Sequence, residues 1–432
     1  MKKKLTAIMV AAFMVGSMAA CSVSDNTVSD TASSTTYTAS TQTDNETVES
    51  TSDTAATVAA STQQTDAAAE YTANTTGKID TTDLFSKRDL EQSPDVSDAK
   101  TITAADGKTE TITEEGVYVI TGSAKNFTIK VEADKEAKVQ LVLDGVNITN
   151  DSFPVVYVVS ADKCFITTTD SENTLSVTGT FTSDGDTNTD AVIYSKDDLV
   201  FNGTGTLTIS SENGNGISGK DDIKVTGGTY HITSALDSIE ANDSIAIYDG
   251  TFEITSSKDG LHSENSEDDT KGWIYIYNGT FNITAASDAV QGTTIVQIDG
   301  GSFTLQAAEG IEATYVQIND GTIQITASDD GINASQKSSS YSTPTIEFNG
   351  GTTTIVMGQG DTDAVDANGN IYVNGGTIDI TAQVSSFDYD GTAEYNGGTI
   401  IINGSQVDSI PQSMMGGGMG RMGNMGGNRM GR

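Results

Sequence analysis

Arginine is missing between Arg88 and Arg421, which excludes recognition of carboxylates or phosphates by a bidentate guanidinium fork over that stretch. Basic side chains are scarce altogether: 22 Lys and Arg face 60 Asp and Glu, a formal charge of −38 at pH 7. Such a chain repels nucleic acid and anionic membrane surfaces, attracts cations, and approaches an anionic polymer only across bridging cations. Cysteine occurs twice, at Cys21 and Cys164, which leaves no disulfide framework. Histidine also occurs twice. His231 falls at an outward strand position and His262 among acids, neither with an evident Ser or Cys partner, so no nucleophilic triad is visible. No segment shows a 3.6-residue apolar period, which argues against a helical body.

What is present begins with a basic start (Lys2, Lys3, Lys4), an apolar run over 5–14 and the ending Met18-Ala19-Ala20-Cys21. The order is that of a secretory signal, and its apolar core is too short to cross a membrane as a helix. A cysteine directly after two alanines suits a lipoprotein signal peptidase, so residues 1–20 are read as signal and Cys21 as the lipidated residue. The expected location is extracytoplasmic, on the cell surface, with a lipid anchor as the sole membrane contact. Residues 21–82 are Thr, Ser, Ala, Asp and Gln with few large apolar side chains, a composition that predicts a disordered tether. Its length would hold the body tens of Å from the membrane, at about 5–6 Å times the square root of the residue number. The far end, 409–432, is a Gly/Met-rich tail read chiefly as unstructured, although its thioethers suit a soft metal such as Cu(I).

Between these ends runs an internal repeat. Its signature is Gly-Thr followed by alternation, as in Gly250-Thr251-Phe252-Glu253-Ile254-Thr255 and Gly279-Thr280-Phe281-Asn282-Ile283-Thr284. A short acidic piece follows (Asp259-Gly260-Leu261, Asp288-Ala289-Val290), then a third strand such as Ile245-Ala246-Ile247 closing on Asn-Gly-Gly or Asp-Gly. Period-2 alternation predicts strands. Three short strands and three turns in about 22 residues make one coil of an all-β, three-sheet parallel β-helix, in which each coil covers the edge of the next. Phe252, Phe281 and Phe303 are then expected in one inward file, and Ile232, Ile254, Ile283, Leu305, Ile325 and Ile380 in another. The β-helix is assigned to 136–408 and an N-terminal cap over the open strand edges to 83–135. A monomer is expected.

On such a wall, sequence columns become ladders. One column holds Asp190, Asn215, Asp237, Asp259, Asp288, Glu309, Asp330 and Asp363; three residues later stand Glu240, His262, Gln291, Glu312, Asn333, Asp366 and Asp388. Carboxylates stacked ~4.8 Å apart repel unless a cation lies between them. Lysines are too few to neutralise them all. Ca²⁺ tolerates irregular oxygen cages and is the expected cofactor, against the plainer reading that Asp and Asn simply make good turns. The most favourable cluster on this reading is Asp221, Asp222, Asp237, Glu240, Asp243 and Asp259.

Two further features bear on ligands. Trp273, Tyr275 and Tyr277 alternate with inward isoleucines, and Tyr248 falls one coil from Tyr277. If outward and open, they form a platform for sugar rings; the competing expectation is that the insertion over 262–272 folds across them. A catalytic alternative is β-elimination from a uronate, with Ca²⁺ on the carboxylate and a basic side chain taking the proton. Without arginine, that base would be Lys220, Lys258 or Lys271, all beside aspartates.

The stretches Ser195-Lys196-Asp197-Asp198-Leu199, Gly219-Lys220-Asp221-Asp222-Ile223, Val139-Gln140-Leu141-Val142-Leu143-Asp144-Gly145 and Lys271-Gly272-Trp273-Ile274-Tyr275-Ile276 resemble the clostridial carbohydrate-binding β-helix lipoprotein family. The resemblance spans about 85–405 and extends to the Gly/Met tail. It implies a right-handed helix resembling the pectate lyases, a cellulose- or pectin-like glycan as partner, and Ca²⁺ held by Asp197, Asp198, Asp221, Asp222 and Asp237. The chain departs from the family where Asp-Gly-Ile-Arg-Gly-Lys-Asp-Ser is replaced by Asp237-Ser238-Ile239-Glu240-Ala241-Asn242-Asp243-Ser244. That loss of a basic pair weakens direct uronate binding and lyase activity.

Overall fold

Each Gly-Thr strand buries alternate side chains because its period is two and one side of it is water. In Thr251–Ser256 the inward Phe252 and Ile254 are nearly sealed while Glu253 and Thr255 are exposed. The strand then turns into Leu261–Ser263, turns again into Trp273–Ile276, and returns at Thr280–Ala285 directly beside its starting point. The register is in step: Phe252 lies opposite Phe281 and Ile254 opposite Ile283. A computed structural model describes residues 77–359 and 362–412. Cys21, the signal, most of the tether and tail residues 413–432 lie outside them.

The described residues contain strands and no helix, and coil-to-coil pairing is parallel from Lys100–Thr103 onward. Three faces run the length of the body. The Gly-Thr face carries strands such as Thr280–Ala285, the acidic face strands such as Asp288–Gly292, and a third face strands such as Ile295–Ile298. The acidic face is a separate 12-stranded sheet; the other two are joined into one of 24 strands. They join because Lys138–Asn150 is one continuous strand that pairs with both Lys163–Thr168 and Glu172–Val177 around a corner. The protein is a parallel β-helix.

The core is a set of vertical files. Phe252, Phe281 and Phe303 stack with centroids 4.8 and 4.5 Å apart and planes within 3° and 4° of parallel. Ile232, Ile254, Ile283, Leu305, Ile325 and Ile380 are all buried beside them. Each such side chain contributes about 1.5–3 kcal/mol by leaving water. The corners before the Gly-Thr strands are tight: a Cβ on Gly301, whose φ is +102°, would stand 2.9 Å from the Gly279 carbonyl oxygen. Only glycine fits such a corner without displacing backbone. Cys164 is sealed in the core, and burial pushes its thiol up to about 12, so it is chemically inert.

Residues 83–135, expected as a cap, do two different things. Lys100–Thr103 and Thr109–Ile112 are themselves the first coil, paired to Gly116–Lys125 and Thr128–Glu132. Ahead of them, 77–92 forms a strap along the outside of the third face. The Ile79 amide donates to Gln297 Oε1 at 2.8 Å, Lys224 Nζ to the Leu84 carbonyl at 2.6 Å, and the Gly203 amide to Gln92 Oε1 at 2.8 Å. At the other end, Thr399–Ile402 turns back through Asn403-Gly404 into antiparallel Ser405–Val407 and covers the final edge of the Gly-Thr face. Both turn residues have positive φ, as a two-residue hairpin requires.

The strap corrects the expectation of an open aromatic platform. Phe85 packs edge-on to Tyr248 and against Tyr275, and Ile79, Leu84 and Leu90 join them around Trp273 and Tyr277. Tyr275 is fully buried, with its hydroxyl donating to Asp299. Trp273, Tyr277 and Tyr248 are half-buried. The cover is the N-terminal strap. The physical reason is that an outward aromatic file is also an apolar stripe, which the chain's own apolar residues seal from water.

Candidate metal centre on the acidic face

The two acidic columns are direct neighbours in the sheet. In the second, Glu240 lies opposite His262, His262 opposite Gln291, Gln291 opposite Glu312, and Glu312 opposite Asn333. In the first, the side chains climb the wall by a repeated contact. Asp237 Oδ1 accepts the Asp259 amide at 3.1 Å, and Asp259 Oδ1 accepts the Asp288 amide at 3.0 Å. One oxygen of each carboxylate is thus committed to the backbone of the next coil, which fixes the other oxygen's position. That second oxygen is what remains for a cation.

Among the described residues, two groups of side chains bring their ligand atoms within 4.8 Å of one another: Asp237, Asp259 and His262; and Asp288, Glu309 and Glu312. The first already contains a cation. Lys258 Nζ stands 2.7 Å from Asp237 Oδ2 and 3.6 Å from Asp259 Oδ2, and His262 Nδ1 lies 3.3 Å from Asp237 Oδ2. Burial works against the Asp237 carboxylate, but the hydrogen bonds and charge of His262 and Lys258 hold it at about 2. The same contact raises Lys258 against the effect of its own burial.

The second group is short of positive charge. Gln291 Nε2 donates to Asp288 Oδ2 and Glu312 Oε2, and Lys337 Nζ reaches Glu312 at 2.8 Å. Burial first, then the charges of Asp259 and Glu309, push Asp288 up to about 8. Burial and Glu312 push Glu309 up to about 7. Next to it, Asn333 donates its amide nitrogen to Glu309 while its buried Oδ1 has no hydrogen-bond partner. Three carboxylates and an orphaned carbonyl oxygen are the donor set of a hard divalent cation. The residues fit Ca²⁺.

Of the residues predicted from the sequence, Asp237 and Asp259 come together and the rest divide. Glu240 accepts from Asn215 and Ser218 and lies 3.9 Å from Lys220. Asp243 is held by Lys271 and Asn265. Asp221 faces Asp243, and burial followed by that contact pushes it up to about 7. Asp222 accepts from Ser244, Asp198 is pushed to about 6 by burial and then Asp222, and Asp197 accepts the Ala161 amide. The expected six-residue cluster does not form. Strand Ile239–Ala241 runs between Asp237 and Asp243, and six residues of extended chain reach up to about 20 Å. The group Asp288, Glu309 and Glu312 stood in the ladder columns but outside that cluster. Its signal was Glu309-Gly310-Ile311-Glu312, an acid in both columns of one coil.

A curated carbohydrate-binding domain-containing protein of Acetivibrio thermocellus is 36% identical over 124 residues, which is 28% of this chain and 43% of that protein. The matched region therefore spans less than half of the relative's length. A solved polysaccharide lyase-like protein from C. thermocellum, a gadolinium derivative, aligns at 30% identity with a TM-score of 0.46, covering 52% of this chain and 96% of that one. The family model described as carbohydrate-binding domain-containing protein matches residues 106–364 and 315–416, from the first coils to beyond the closing hairpin, and this chain belongs to that family.

Proposed function

We propose that the protein is a lipid-anchored cell-surface module that binds polysaccharide, with Ca²⁺ held on the acidic face of its β-helix. Family membership supports carbohydrate as the ligand. The observation that carries the metal is the convergence of Asp288, Glu309 and Glu312 without enough cationic partners. Asp288, Glu309, Glu312 and Asn333 Oδ1 would hold the ion, which supplies positive charge and spare coordination positions for sugar carboxylates or hydroxyls. The chain's own residues do the rest. Gln291 orients two carboxylates, and Lys337 balances one of them. A net charge of −38 makes bridging by such an ion the route by which an anionic glycan could approach.

The lyase alternative needs an uncharged basic side chain. Lys258 is held in its charged form by Asp237, and Lys271 by Asp243, which weighs toward binding without cleavage. Affinity electrophoresis in polygalacturonate gels, with Ca²⁺ and with EDTA, tests the reading. Retardation that requires Ca²⁺ and disappears in Glu309→Gln/Glu312→Gln supports it; equal mobility in all gels sinks it. Growth of ultraviolet absorbance from an unsaturated product would move the protein to the lyases.

A further inference from the structure

Positive charge leaves the chain at Lys337 and returns only at Arg421. Every charged residue between them is an acid, among them Asp363, Asp366, Asp388 and Asp390 on or beside the acidic face. Lys337 itself is spent on Glu312. Beyond Gln412 the pattern inverts: residues 413–432 hold Arg421, Arg429 and Arg432 and no acid. All the arginine after Arg88 is thus gathered in one segment, directly after coils that carry no cation of their own.

The fold delivers that segment to the acidic face. Asp388–Tyr389 is the last strand of the 12-stranded sheet, and Gln412 Nε2 donates to the Tyr389 carbonyl at 2.8 Å. Residue 413 therefore starts at the end of the acidic face. Asp388 lies opposite Asp366, which lies opposite Asn333, and Asp363 lies opposite Asp330. Asp363, Asp366 and Asp388 are half-buried. Burial first, then the charges of Asp363, Asp388 and Asp390, raise Asp366, so these groups feel one another. A separate observation asks for an N–H donor. Asn333 is 9% exposed, its amide nitrogen is committed to Glu309, and its Oδ1 has no hydrogen-bond partner. A buried carbonyl oxygen left so is costly. A guanidinium carries five N–H donors in a planar fork and no acceptor, which suits carboxylates and that oxygen together.

We propose that residues 413–432 dock back on their own chain, seating their arginines among Asp363, Asp366, Asp388 and the Asn333 oxygen. The reach is ample. Arg421 follows Gln412 by nine residues, which span up to ~30 Å when extended, whereas Asn333 is two coils, ~10 Å, from Asp388. Exposed ion pairs are individually weak, but a tethered segment meets the face at a high effective concentration. Glycine lets a backbone follow the wall closely, and methionine fills irregular gaps. Asn333 is shared with the Ca²⁺ group, so a bound ion and a seated tail oppose each other there. The inference rests on neither the glycan nor the Ca²⁺ reading, and its tests run in EDTA.

Trypsin reads the docking directly, because it must draw the arginine out of its seat to cut after it. At about 20 mM salt, the full chain should be cut after Arg421 about ten-fold more slowly than a free 413–432 peptide, and about 0.5 M salt should abolish the difference. Asp366→Asn/Asp388→Asn should be cut at the peptide's rate in both salts. Arg421→Gln/Arg429→Gln/Arg432→Gln should melt several degrees below the wild type at low salt and together with it at high salt. Those three positions lie outside the coils, so such a loss cannot come from the core. Cutting of the wild type at the peptide's rate in low salt overturns the inference, as does protection that survives Asp366→Asn/Asp388→Asn. Protection that grows with protein concentration also overturns it, by placing the tail on a second copy.

Discussion

Phe85 sits edge-on to Tyr248, ring centroids 5.6 Å apart and planes at 68°, and this contact between residues 163 positions apart pins the strap to the third face. Trp273 is the chain's single tryptophan and belongs to the same cluster. Phe85→Ala is expected to cost up to about 3 kcal/mol, felt as local opening of the strap ahead of any global unfolding. Trp273 fluorescence should shift to longer wavelength, and trypsin should cut faster after Lys87 and Arg88. Unchanged emission would show that the strap does not shield the tryptophan.

The phenylalanine stack is the stiffest part of the core. Phe281 has a ring within 4.8 Å on each side. Phe281→Ala leaves a cavity in a wall that cannot collapse, so a loss of about 3–5 kcal/mol is expected. Phe281→Leu should cost less. Thermal unfolding followed by circular dichroism reads the difference, and equal melting temperatures would contradict the packing argument.

Stability without metal should fall as pH rises. Asp288 at about 8, Glu309 at about 7 and Asp330 at about 7 all hold protons above the ordinary carboxylate range, chiefly through burial. Between about pH 4 and 8 the folded chain then binds more protons than the unfolded one, so its stability decreases across that window. Asp237, at about 2, has the opposite sign: its contribution is present above about pH 4 and is lost as pH falls toward 2. In EDTA the melting temperature should therefore drop from pH 5 to pH 8, and Ca²⁺ should flatten the drop. A rise over that range in EDTA would refute the assignment.

Glu309→Gln separates repulsion from ligation. Removing one charge from the group with Asp288 and Glu312 should raise the melting temperature in EDTA at pH 8, because like charges no longer oppose each other. The same change removes a ligand, so added Ca²⁺ should stabilise the variant less than the wild type. Calorimetry with and without Ca²⁺ measures both. Loss of stability in EDTA would mean that Glu309 is not under repulsion.

Much of the acidic face was legible along the chain because a coil repeats. Asp237, Asp259 and Asp288 occupy one column in the sequence, and along the wall the amides of Asp259 and Asp288 each donate to the carboxylate one coil before. What no column shows is neutralisation. Lys258 reaches back across a coil to Asp237, whereas the lysine beside the Asp288 group, Lys337, reaches Glu312 instead, and side-chain reach of this kind leaves no period behind.

By itself the sequence determined the coil: glycine corners, period-2 alternation, the inward phenylalanine and isoleucine files and the vertical alignment of acids all follow from local chain geometry. Only the tertiary structure decided which face is closed. Ile79, Leu84, Phe85 and Leu90 sit in a segment with no periodicity, and they settle onto Tyr248 and Tyr275 more than 150 positions away. Local rules act over one coil, whereas burial of an exposed apolar stripe acts between any segments that can reach it.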